Sequence, residues 1–378
     1  MSKVTFEQGP IRPPNEANSL LLRLTRNCPW NRCLFCPVYK SEKFSRRDIE
    51  EIKSDIHAIS EAVKRTRAVS EELGFNGEIN RQTVAMISAR YPELLSVAFW
   101  QFHGGKTVFM QDADSLLLSV EQLNEIIRLL KEKFPNVERI TTYARSRSLL
   151  RRSVKELISL KESGLTRIHV GLESGNDQVL EFMKKGVSGM QQAEAGIMVK
   201  ESGISLSEYV ILGLGGETLW REHAIDTAKV LNTINPDFIR FRTLAISPSA
   251  PLYDSFQRGE FKPLKEDDVI REESLLIDQL EGITSSLYSD HILNLLEEVC
   301  GQFPDHKSKM KGVLDQYLSM PEQQREIFRI GRRTGYFKSL QDMKNDSLMS
   351  AVENIYKQIQ NKGISVDQYI EELTRRYI

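Results

Sequence analysis

From Ser19 to Thr243, short apolar runs alternate with longer stretches whose apolar residues recur every three or four positions. The runs SLLLRLT (19–25), TVFM (107–110), RITTYA (139–144), RIHVGL (167–172), LSEYVIL (206–212) and DFIRFRT (237–243) predict strands. Between them Leu123, Ile126, Ile127 and Leu130 fall at i, i+3, i+4 and i+7, which is one face of a helix. Val154, Leu157 and Ile158 begin the same rhythm until Lys161 breaks it. A helix over 217–233 opens after Gly-Gly and stops at Asn235-Pro236. Six strand–helix alternations imply parallel strands joined by right-handed crossovers. The pattern predicts an α/β fold, either a six-unit partial barrel or an open doubly wound sheet.

Two regions depart from it. Residues 73–105 insert between the first helix and the second strand and end in AFWQFHGG. After Pro263 the strand pattern stops, and 266–281 and 286–378 read as helices with charged faces. The expected organisation is a barrel domain over 1–260 and a helical C-terminal region over 261–378, the boundary falling near 255–285.

Composition narrows the functional classes. The 378 residues are 40% hydrophobic, enough for one large and one smaller core. The net charge of -1 gives no bulk positive field for nucleic acid. The start, MSKVTFEQGPIRPPNEANS, lacks the charged-then-apolar pattern of a secretory signal. No apolar run approaches the roughly 18–20 residues of a membrane span. A cytoplasmic location without a membrane partner is therefore expected. There, clustered thiols mean metal or catalysis rather than disulfides.

Such a cluster exists. Three of the four cysteines lie in NCPWNRCLFC (27–36), spaced Cys28-x4-Cys33-x2-Cys36; the fourth is Cys300. The stretch follows the first strand, at the carboxyl edge where parallel α/β folds place their active sites. Thiolates suit zinc or iron–sulfur clusters. An iron–sulfur cluster ordinarily takes four cysteines, so three leave one iron position open for a ligand. A structural zinc site completed by Cys300 or a histidine is the alternative, and three buried cysteines without metal a further one.

The cysteine stretch resembles the cluster loop of the radical S-adenosylmethionine (SAM) superfamily, whose usual pattern is C-x3-C-x2-C with an aromatic before the third cysteine. Phe35 stands in that place, and one extra residue separates the first two cysteines. The resemblance extends over roughly 18–260. It is nearest the branch of oxygen-independent coproporphyrinogen dehydrogenases and tRNA methylthiotransferases. It implies a 4Fe–4S cluster on Cys28, Cys33 and Cys36, with SAM chelating the fourth iron. Reductive cleavage then gives a 5′-deoxyadenosyl radical that abstracts hydrogen from substrate, fed by an electron donor such as flavodoxin or ferredoxin.

Further SAM contacts are implied by matching stretches. In VGLESGNDQVLEFMKKG (170–186), Glu173 would accept from a SAM hydroxyl or amino group and Lys185 would pair with the SAM carboxylate. A helix-capping glutamate and a solvated lysine are the plainer alternatives. After the second strand, Asp112 or Asp114 would accept from the SAM ammonium, or Asp114 with Ser115 would cap the next helix. In YVILGLGGET (209–218), Ile211 and Gly213 match a motif whose backbone packs on adenine. Arg145, in TTYARSRSL, is a SAM or substrate contact or a surface arginine.

The substrate leaves fewer marks. Phe238, Arg240 and Arg242 share one face of their strand, so an inward arginine face implies a carboxylate or phosphate on a small-molecule substrate, or a modified base. His103 is a candidate proton carrier or part of an aromatic cluster, and His169 a packed histidine. The run EQQREIFRIGRRTGYFK (322–338) is a solvated helix face or, less favoured, an RNA-binding surface. With no second cysteine cluster, a methylthiotransferase is disfavoured. The expectation is a radical SAM enzyme, against a haem carrier that retains the cluster or a zinc-containing RNA-binding protein.

Overall fold

The computed structural model describes residues 5–374. The elements follow the predicted alternation. They are β1 (Leu20–Arg23), α1 (Ile49–Glu72), α2 (Arg81–Arg90), α3 (Leu95–Phe102), β2 (Thr107–Gln111), α4 (Val120–Lys133), β3 (Arg139–Ala144), α5 (Val154–Ser163), β4 (Arg167–Glu173), α6 (Asp177–Phe182) and α7 (Gly189–Glu201). Then come β5 (Ser205–Leu212), α8 (Gly216–Ile234), β6 (Phe238–Thr243), α9 (Leu252–Gln257), α10 (Glu266–Gln279), β7 (Ser286–Tyr288), β8 (Cys300–Gln302), α11 (Lys307–Ser319), α12 (Glu322–Thr334), α13 (Asp346–Asn361) and α14 (Val366–Thr374). The fold is α/β, with a mostly parallel sheet of eight strands ordered β1 to β8 among the described residues. Strand order and direction are those of the partial (β/α) barrel expected above.

The chain divides into two compact units. The first comprises the residues up to Asn31, Ser41–Val170 and Met198–Leu206; the second comprises Arg32–Lys40, Gly171–Ile197 and the residues from Ser207 on.

In the first unit β1, β2, β3 and the start of β4 run parallel, with Leu20 opposite Val108, Thr107 opposite Arg139 and Thr141 opposite Arg167. Helix α4 buries Leu123, Ile126, Ile127 and Leu130, as their spacing requires. It begins at a capping box of Ser119 and Gln122, so Ser119, not Asp114, is its cap. The insertion forms α2 and α3, which pack on α1. Trp100 is buried and its Nε1 donates to the carbonyl of Thr107 over 2.9 Å. His103 is exposed, its ring stacked 6.4 Å from that of Phe99. It precedes the amino end of β2, the opposite end from the Asp112 exit, and lies within the aromatic cluster that is its alternative reading.

In the second unit β5, β6 and β7 are parallel and β8 is antiparallel to β7. Strands therefore continue past Pro263, contrary to expectation. Helix α10 packs on α8 and α11. The arginines of α12 are not a solvated face. Arg325 reaches Asp267 at 2.8 Å, Arg329 reaches Asp367 at 2.7 Å, Arg332 reaches Glu297 at 2.6 Å, and Arg333 bonds Glu266 and the carbonyls of Ile292 and Leu293. They join helices and a loop inside the unit.

Candidate cofactor site

The first part of the cysteine loop belongs to the first unit and is rooted by charge. Arg23, at the end of β1, donates from Nε and Nη2 to Oδ2 of Asp112 at 2.9 and 2.7 Å. The same oxygen accepts from the Asn27 amide at 3.3 Å. Arg23 also reaches Glu7, which pairs with Arg26 and Arg47. The Arg26 hydrogen bond, foremost, holds the Glu7 carboxyl below its usual range. Asn27 and Asn31 adopt left-handed backbone, at φ 68° and 45°, where asparagine is tolerated better than most residues. Their side chains donate to the carbonyls of Lys43 and Glu42. The turn brings the Asn31 amide to 3.4 Å from Cys28 Sγ, where it donates to sulfur.

Both aspartates named as candidate SAM contacts are buried and already paired. Asp112 is buried and engaged by Arg23 and Asn27, so it anchors the loop and offers no exposed oxygen to a SAM ammonium. Asp114 is also buried and accepts from the Ser148 hydroxyl. Burial pushes its carboxyl up to about 6, against the pull of Ser148 and Arg145. Arg145 lies over the Trp30 ring at 5.2 Å and Arg147 at 6.0 Å, so both brace the residue between Cys28 and Cys33.

The second part of the loop, with Cys33, Phe35 and Cys36, belongs to the second unit. Its backbone is stapled twice, from the Leu34 amide to the Met183 carbonyl at 3.0 Å and from the Leu252 amide to the Leu34 carbonyl at 2.9 Å. Leu34, Phe35 and Ile211 pack on Val179, Met183, Leu214, Leu252 and Phe261. Two of the expected cofactor contacts, Phe35 and Ile211, thus share one hydrophobic cluster.

Beside it, Lys185 Nζ donates to Glu173 Oε1 at 3.1 Å, with Nζ also 5.9 Å from the Phe35 ring centroid. Glu173 ends β4 in left-handed backbone at φ 65°, a strained geometry that collects at functional sites. A Cβ on Gly171 would collide with the Glu173 carboxylate and lie 3.2 Å from Lys185 Nζ, so glycine keeps the cradle open. Side by side, the lysine and the glutamate carry the charges complementary to the carboxylate and the ammonium of an amino acid.

Strand β5 contributes two features. Gly213, at φ 82°, lines a cavity of about 500 Å³ at the ends of β5 and β6. Glu208 was not singled out by the sequence, although a carboxylate inside LSEYVIL is itself a signal. It is buried, and its Oε2 has no hydrogen-bond partner among the described residues. Burial pushes its carboxyl well above the ordinary range; Lys185 pulls it down and Glu173 adds to the rise.

Strand β6 carries the two arginines on one face. Tyr209 pairs with Arg240 and Ile211 with Arg242. Arg240 is 5% exposed and lies over the Tyr288 ring at 4.9 Å. Both arginines approach Asp290 at 3.7 Å, and Arg240 Nε is buried without a hydrogen bond among the described residues.

The residues fit the implied cofactors. Cys28, Cys33 and Cys36 are partly exposed and form no disulfide with one another, and Cys28 already receives an amide hydrogen bond of the kind that tunes cluster sulfurs. Cys300 differs: its thiol donates to the Glu297 carbonyl at 3.2 Å, and burial raises its pKa above the usual thiol value. His169 is a packed histidine, fully buried between Asn15 and Glu16 at 3.0 and 3.2 Å.

The chain is 27% identical over 119 residues to a tRNA uridine(34) acetyltransferase of Methanocaldococcus infernus, covering 31% of this chain and 22% of that one. It is 25% identical over 156 residues to the heme chaperone HemW of Bacillus subtilis, covering 41% and 40%. The chain thus spans well under half the length of these relatives. Coproporphyrinogen III oxidase (HemN) of Escherichia coli superposes with a TM-score of 0.43 at 17% identity, over 69% of this chain and 52% of that one. No helix among the described residues is long and apolar enough to cross a membrane. Residues 22–228, more than half of the sequence, match the Radical SAM superfamily, and the chain belongs to that superfamily, whose cofactors are a 4Fe–4S cluster and SAM.

Proposed function

We propose that this enzyme abstracts hydrogen from a small molecule bearing a carboxylate or phosphate, held by Arg240 and Arg242. The observation that carries the substrate class is Arg240. An arginine only 5% exposed needs an anionic or hydrogen-bonding partner. Its carboxylate neighbour, Asp290, is 3.7 Å away, 41% exposed and shared with Arg242. An anionic substrate would complete this arrangement. When bound, the cluster and SAM supply the electron and the 5′-deoxyadenosyl group that abstraction requires, with flavodoxin or ferredoxin as the electron source.

The chain's own residues do the rest. Cys28, Cys33 and Cys36 hold the cluster. Lys185 and Glu173 bind the charged amino-acid end of SAM, Ile211 and Gly213 bear on its adenine, and Arg145 fixes Trp30 in the loop. Burial favours the neutral form of Glu208, whose O–H would be a donor on the inner part of β5. A base within tRNA is the second anionic candidate, favoured by the relative named for tRNA uridine(34).

Arg240→Gln tests the reading. Reconstituted under anaerobic conditions, it should form 5′-deoxyadenosine from SAM at the wild-type basal rate. Stimulation of that rate by candidate carboxylates and phosphates should fall about tenfold or more, the scale of one charge-assisted contact. Full stimulation would remove the anionic-substrate reading. Wild-type protein that binds haem and forms no 5′-deoxyadenosine would instead establish a carrier.

A further inference from the structure

The exits of β4 and β5 are tied together by a buried polar network that does not include the charged pair. Its centre is His223 on α8, fully buried. His223 Nε2 lies 3.1 Å from the Ile211 carbonyl, and Nδ1 lies 2.8 Å from Ser174 Oγ. Ser174 follows Glu173 directly in the chain, and its Oγ also accepts from the Asn176 amide at 3.0 Å. Thr227, one turn along α8, accepts from the Gly175 amide at 2.8 Å. From α10, Glu272 Oε1 accepts from the Gly213 amide at 2.7 Å and stands 3.5 Å from His223 Nε2.

These contacts fix the tautomer. A carbonyl only accepts, so Nε2 carries the hydrogen and donates to Ile211. Nδ1 must then accept, and the Ser174 hydroxyl donates to it. The result is a directed chain from the Asn176 amide through Ser174 to His223 and on to Ile211. Burial lowers the imidazole pKa to about 4, which keeps the ring neutral as this chain requires. The approach is close. A Cβ on Gly175 would collide with the backbone of Asp226, and one on Gly215 would lie 3.0 Å from His223 Cβ.

We propose that His223 is a positioning residue for the SAM site, setting the backbone of Glu173 against that of Ile211 and Gly213 through Ser174 and Glu272. This rests on the reading of those residues as SAM contacts. His223 touches no cofactor itself. Its effect reaches the site only through the two strand exits, so it should alter SAM affinity and leave the cysteine ligands unaffected.

The test is SAM binding by anaerobically reconstituted protein, measured by calorimetry beside iron content and circular dichroism. Ser174→Ala, which removes one hydroxyl, should raise the SAM Kd about tenfold with iron content and secondary structure unchanged. His223→Leu should raise it further, and His223→Gln, which keeps a donor for the Ile211 carbonyl, should recover part of the loss. If His223→Leu fails to fold, Ser174→Ala and His223→Gln still decide. Wild-type affinity in both of them overturns the positioning role. Wild-type protein that holds iron and does not bind SAM overturns the contact reading beneath it.

Discussion

Lys185 Nζ lies 3.1 Å from Glu173 Oε1, across 12 residues of sequence and beside the glycine that leaves them room. Both side chains are mostly buried, at 10% and 15% exposure. Each neutralises a charge that would otherwise be costly there, and in the proposed reading each meets one end of the amino-acid part of SAM. Lys185→Ala should therefore weaken SAM binding about tenfold, and Glu173→Gln by a similar factor, measured by calorimetry on reconstituted protein. Gly171→Ala should do as much without touching either charge, because its methyl displaces the carboxylate. Undiminished affinity in Gly171→Ala would show that the cradle is not used.

Asp112 should behave as a structural anchor. Its carboxylate is fully buried and its partner Arg23 is 14% exposed. Removal of the carboxylate leaves Arg23 with Glu7 and Asn27 Oδ1 as partners, so the cost should fall below the about 3–5 kcal/mol of a wholly uncompensated buried charge. Asp112→Ala should lower the urea midpoint accordingly and loosen the loop that begins at Asn27. A variant as stable as wild type, but with weakened SAM binding, would restore the direct ligand role.

Glu273 supplies a pH signature. Burial, with Glu298 nearby and against a Ser289 hydrogen bond, raises its carboxyl to about 8, and burial does the same for Glu272. Between the ordinary value near 4.5 and about 8 the native chain keeps a proton that the unfolded chain has lost, so stability falls as pH rises through that window. His223 and His291 act oppositely. Their values near 4 lie below the usual 6.5, so stability rises with pH between those limits. The glutamates therefore show alone from about 6.5 to 8. Glu273→Gln should melt progressively higher than wild type across that range. A gap in Tm independent of pH would contradict the assignment.

The sequence carried most of the strand–helix order because each of the first six strands is an apolar run and α4 has an unbroken apolar stripe. It hid β7 and β8, three residues each and carrying polar residues such as Ser286 and Gln302, which show no alternation. It marked the arginines of α12 but not the acids and carbonyls they meet, which lie 35–67 residues away. Asp112 was judged by its place after a strand. Its partner Arg23 lies on the neighbouring strand, opposite Gln111, a relationship set only by sheet register. His223 and Glu272 gave no signal, since their contacts join positions 49 and 59 residues apart.

The most direct test of the central claim is the iron and acid-labile sulfide content of anaerobically reconstituted protein, in wild type and in four single Cys→Ser variants. Three thiolates holding one cubane predict about four irons and four sulfides per wild-type chain, near-complete loss in Cys28→Ser, Cys33→Ser and Cys36→Ser, and retention in Cys300→Ser. Colourless zinc-containing protein, or equal iron loss in Cys300→Ser, would contradict the account.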